Sequence, residues 1–155
     1  MSNPSEASVT NQRLDVARRF LIMTNGVEES WMEKAYENAA LFHLKSAING
    51  LLQEVCSNYS LKRDMNISAL LGHAQEKGTS IPVLQELNAL SFDPASWFSQ
   101  LEKDYTVAIE CYSRSPVVVS TNVIASSQSL ESSIAFYLKS ITELVLRYRE
   151  ESSEY

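Results

Sequence analysis

EESWMEKAYENAALFHLKSAINGLLQEVCSNY, residues 28–59, decides the fold. The stretch holds no proline and one glycine, Gly50, and the acids Glu28 and Glu29 suit the positive end of a helix dipole. It therefore reads as one long helix. At about 100° per residue, Leu44, Ile48, Leu51 and Val55 fall on one side and Trp31, Ala35, Phe42 and Cys56 on another. Between them runs a stripe of small residues, Ala39, Ala40, Ala47 and Gly50, interrupted by His43. A helix that is apolar over most of its circumference must be surrounded by other helices, and small residues let a neighbour's backbone approach closely. The expectation is an all-α bundle of four to six helices around a central helix at about 28–59.

Working outward, Thr10 or Asn11 can cap a first helix that carries Leu14, Ala17 and Leu21, and Gly26 supplies its left-handed stop. Ile67–Leu71 predicts a short helix stopped by Gly78. Pro82 opens another, with Val83, Leu84, Leu87 and Leu90 on its apolar face. Asp93-Pro94 offers a cap and a first-turn proline for a helix carrying Trp97, Leu101, Tyr105, Ala108 and Tyr112. The β-branched run near 115–125 reads as an extended connector. After the serines at 126–129 comes a last helix with Leu130, Ile134, Tyr137, Leu138, Ile141, Leu144, Val145 and Tyr148 on one face. Lys139, Glu143 and Arg147 lie opposite. The domain reading is a flexible tail at 1–8, one helical domain at 9–151 and a frayed end at 152–155.

The composition bounds what this domain can do. Apolar residues make up 45% and charged residues 21% of the 155, a globular balance. The net charge of −6 is concentrated in the second half, with no basic cluster, which argues against nucleic acid or an anionic membrane as a partner. Residues 1–8 have neither the basic start nor the apolar core of a secretory signal, and no run reaches the roughly 20 apolar residues of a membrane span. A cytoplasmic location follows as the expectation. Cys56 and Cys111 both fall in helical patterns beside apolar neighbours and read as buried free thiols.

No constellation of catalytic residues emerges. A di-metal bundle needs Glu-x-x-His on two helices, but Ala40 and Leu70 stand three residues before His43 and His73. His73 with Glu76 gives the reverse order once. No nucleophile lies in a motif with either histidine, and the glycines are isolated, so there is no phosphate loop. No cofactor, metal or catalytic residue is assigned. His43 is the polar residue that needs a partner. Glu54 lies on nearly its face but about 16 Å further along the axis, too far to pair within the helix, and Tyr36 lies one step nearer. Tyr36, His43 and Glu54 are the candidate lining of a pocket; otherwise His43 hydrogen-bonds across the core. The aromatics Trp31, Trp97, Tyr105, Tyr112, Tyr137 and Tyr148 read as core packing, and the arginines of 147–151 as a solvated helix end.

Several blocks stand in order along the chain: residues 10–14 (TNQRL), 39–44 (AALFHL) with Ala47, Glu54-Val55 and Tyr59, then Ser96-Trp97, and 146–150 (LRYRE). In these the chain resembles a family of small bacterial proteins of unknown function, with AALFHL the most specific block. The resemblance implies a cytoplasmic bacterial protein and no catalytic residues. At the level of fold the paired early helices are also similar to four-helix toxin nucleases. Their signature, an Arg four to six residues before a His, is not matched: Arg63 is the nearest arginine before His73, with nine residues between. The sequence thus points to a non-catalytic interaction or regulatory module that docks a protein partner or a second copy. The alternative is a bundle that binds a small molecule or nucleotide near His43.

Overall fold

Ala40, Leu44, Ala47, Leu51 and Val55, all from the long apolar stretch, are completely buried, so the chain is built around that helix. A computed structural model describes residues 5–111 and 123–153, with 123–132 described by their backbone alone. Among the described residues there are six helices and no strand: α1 (Glu6–Thr24), α2 (Ser30–Asn58), α3 (Ile67–Glu76), α4 (Pro82–Phe92), α5 (Trp97–Ile109) and α6 (Val123–Ser153). α1 and α2 form the most extensive pair, and α6 packs on both of them, with α5 against α2 and α6.

The α1–α2 hairpin closes on small residues. Ala17, Ala40 and Ala47 are fully buried. A Cβ added at Gly50 would stand 2.6 Å from the Thr10 hydroxyl oxygen, so this glycine is a point of close approach between the helices. Thr10 is itself fully buried and donates to Glu54 Oε2 at 2.8 Å. Arg149 from α6 completes the joint. Its Nε and Nη2 donate to the two oxygens of Glu54 at 3.1 and 3.3 Å, Nη1 to Asn11 Oδ1 at 2.8 Å, and Nη2 also to the Ala7 carbonyl at 3.2 Å. Three helices meet on one carboxylate that is 5% exposed.

Neighbouring bonds extend this joint. Asn58 donates to the Tyr148 hydroxyl at 2.7 Å, and burial pushes that phenol up to about 12, the Asn58 bond opposing the shift in part. Arg147 makes a two-pronged pair with Glu86 of α4 at 2.8 and 3.0 Å, and Lys45 of α2 pairs with Glu102 of α5. Arg149 is therefore a partly buried tie between helices, whereas Arg147 keeps the solvated character expected of the helix end, its side chain 54% exposed beside Glu86.

Local structure departs from expectation at several points. α1 starts four residues before Thr10: Ser5 caps it, accepting from the Ser8 amide at 3.1 Å, which frees Thr10 for the core. Asp93 does not open α5. It caps the end of α4 and turns the chain, its side chain accepting from the Ala95 amide, and Ser96 caps α5 by accepting from Ser99. α2 ends without a glycine because Ser60 takes φ 52°, letting the Leu61 amide reach the Cys56 carbonyl at 2.9 Å. α6 begins at Val123, so residues 123–125 of the expected connector are helical; the rest of it lies outside the described residues. Cys56 is buried as expected, but Cys111 is exposed at φ 60°, just past α5. Trp31 and Phe42, expected in the core, are 66% and 48% exposed.

Two predictions follow from the joint. In an exposed helix, Gly→Ala gains about 1 kcal/mol. At Gly50 the added methyl meets a threonine pinned by Glu54, so Gly50→Ala is expected to destabilise by roughly 1–2 kcal/mol in urea unfolding. Glu54→Gln is expected to cost roughly 2–4 kcal/mol because it leaves the guanidinium without a counter-charge. Combined with Arg149→Met, it should cost less than the sum, with a coupling of roughly 1–3 kcal/mol; additive losses would show that the two groups act independently.

Candidate functional site

Where Arg149 ties α6 to α1 and α2, the helices are held together. Further along, toward Arg18 of α1 and Leu138 of α6, an open groove of about 560 Å³ lies between α1 and α6. Its base is apolar: Leu14 and Leu138 are half-buried and packed on the core. Its rims are polar. On α1, Asn11 leads to Asp15 and Arg18; on α6, Lys139 and Glu143 flank Thr142. Asp15 pairs with Arg18 at 2.6 Å and Arg19 at 2.7 Å, and the Arg18 bond leads in holding its carboxyl below the usual range, so it stays ionised at neutral pH. An apolar trough with charged edges between two antiparallel helices is the shape that accepts a third helix.

The residues proposed from sequence lie in two places. Tyr36 and His43 share Phe20 of α1: the Phe20 ring is stacked on His43 at 5.6 Å and lies 6.1 Å from Tyr36. Phe42 meets His43 edge-on at 5.2 Å. Glu54 is elsewhere, in the Thr10–Arg149 joint. Arg13 Nη1 stands 3.4 Å from His43 Nδ1. A guanidinium can only donate, so Nδ1 must accept, which places the imidazole proton on Nε2. Burial, then the Arg13 charge, hold this histidine below its ordinary value, and it is neutral at pH 7. Elsewhere, His73 has a buried Nδ1 with no partner among the described residues. No group of three or more His, Cys, Asp or Glu among the described residues is placed to hold a metal ion.

The groove was not legible from sequence. Leu14 and Leu138 belong to stripes that read as core, and nothing in either stripe tells that the two helices leave space between them.

The depressed His43 value carries a sign. Below the ordinary 6.5 the unfolded chain takes up the proton before the folded one. This contribution to stability is complete above that value and is lost as pH falls through the lower folded value. His43→Gln is expected to lower the drop in Tm between pH 7.5 and pH 5.5 by roughly 1–3 °C, measured by circular dichroism; an unchanged drop would show that another group carries it.

No curated protein and no solved structure matches the chain. A family model does match, over residues 1–155, and by it the chain belongs to a family of unknown function (DUF6586).

Proposed function

We propose that the chain is a non-catalytic interaction module of the bacterial cytoplasm that receives an amphipathic helix of a protein partner in the groove between α1 and α6. The observation that carries this reading is the apolar base of Leu14 and Leu138, left open between two helices that are otherwise locked together. The polar side chains of the bundle are meanwhile spent on one another: Glu54 on Thr10 and Arg149, Tyr148 on Asn58, Glu86 on Arg147. The cytoplasmic and bacterial setting rests on the sequence resemblance and the acidic charge. No helix among the described residues is long and apolar enough to cross a membrane.

A pocket for a small molecule or nucleotide lined by Tyr36, His43 and Glu54 has less support. Phe20 and Phe42 occupy two sides of the His43 ring, Arg13 takes its Nδ1, and Glu54 is engaged at the joint.

Thr142→Arg tests the groove, because it places a long side chain in the trough at a half-buried position that carries no tie between helices. A partner that co-purifies with the wild-type chain is expected to bind the variant roughly 10–100-fold more weakly by titration calorimetry. Phe92→Ser, at the far end of α4, is expected to leave that affinity unchanged. Equal affinity for wild type and Thr142→Arg would overturn the reading.

A further inference from the structure

On the α6 side of the groove runs a stripe of exposed side chains. Phe136 and Leu146 are 55% and 53% exposed, and Lys139 and Glu143 between them are exposed as well. Their spacing of three, four and three residues sets them within a sector of about 80° on one face. Among the described residues neither Lys139 nor Glu143 makes a hydrogen bond or close ion pair, and Glu143 acts on Arg147 through its charge alone. Arg147, next along the helix, is taken by Glu86.

The stripe is symmetric about residue 141. Phe136 and Leu146 stand equally far from it on either side, and so do Lys139 and Glu143. A two-fold axis at that point, running an α6 antiparallel against a copy of itself, brings each apolar residue opposite the other and each charge opposite its counter-charge. Parallel pairing would set Lys139 on Lys139 and Glu143 on Glu143, which repel. A closed two-fold interface must be self-complementary in this way. For a chain of net charge −6, a face on which Lys139 meets Glu143 offers matched charge, with the exposed Glu150 of the same sector lying beyond Leu146 at the edge of the contact.

The geometry points to a homodimer in which the exposed face of α6 packs antiparallel on the same face of a second copy, Phe136 against Leu146 of the partner subunit and Lys139 against Glu143 of the partner subunit. The proposal rests on the reading of the α1–α6 surface as an interaction surface, and names a second copy as what covers its α6 side. The apolar contacts supply the affinity. Exposed ion pairs contribute little to it and instead fix register and direction. So small an interface makes a weak, reversible dimer.

Sedimentation equilibrium of the full chain tests this. The wild type is expected to shift from monomer to dimer mass with rising concentration. Phe136→Ser changes both apolar contacts at once and is expected to weaken the dimer by about tenfold or more. Lys139→Glu or Glu143→Lys, each setting like charges opposite one another, should weaken it several-fold. The double exchange K139E/E143K restores matched pairs and should return the constant to within about twofold of wild type. All four positions are exposed, so helicity by circular dichroism should not change. Wild type at monomer mass over the whole accessible range, or a double exchange no better than the single ones, would overturn the dimer. If Thr142→Arg still abolished binding of a separate partner while wild type stayed monomeric, the groove reading would survive and the dimer alone would fall.

Discussion

A carboxylate that is 5% exposed has to be neutralised, and Glu54 is neutralised by a guanidinium 95 residues away in the chain. Much of the arrangement depends on that requirement. To reach Glu54 from α6, Arg149 must lie across the first turns of α1, which it does through Asn11 and the Ala7 carbonyl. Thr10, turned inward, adds a second donor to Glu54 Oε2 beside Arg149 Nη2, and its hydroxyl then lies so close to α2 that a Cβ at position 50 would stand 2.6 Å from it. The cap then moves to Ser5, because Thr10 cannot both close a helix end and serve the core. One buried charge thus fixes the start of α1, the closeness of the hairpin and the direction of α6.

The same constraint places the groove. α1 and α6 are held together at one end, and the side chains further along meet less closely, leaving Leu14 and Leu138 half-buried. Several of the bundle's polar groups bond to one another across helices: Glu54 with Thr10 and Arg149, Tyr148 with Asn58, and Glu86 with Arg147. The surface rim of that groove carries a balanced set of charges, in contrast to the acidic chain as a whole.

His43 shows how the environment of a single polar residue is divided. It interrupts the small-residue stripe of α2, and the structure meets its need by stacking Phe20 on the ring and directing Arg13 at Nδ1. Tyr36 joins the same aromatic group through Phe20, as their shared position on α2 suggested. Glu54 does not join it: residues on one helical face but three turns apart meet different neighbours, and a face is not a site.

The all-α class, the long central helix and the apolar faces of α4 and α6 were decided by sequence alone. Periodic burial and helix propensity are properties of the local chain, and they read directly from Ala40 to Val55 and from Ile134 to Tyr148. Only the tertiary structure decided that Thr10 is a core hydrogen-bond donor and not a cap, that Arg149 is an internal tie and not a solvated end, and that Trp31 and Phe42 face outward. The physical reason is common to all of these. Each depends on which side chain of a distant helix arrives at the position, and hydrogen bonding, charge neutralisation and close packing are set by that neighbour, not by the period of the helix on which the residue sits.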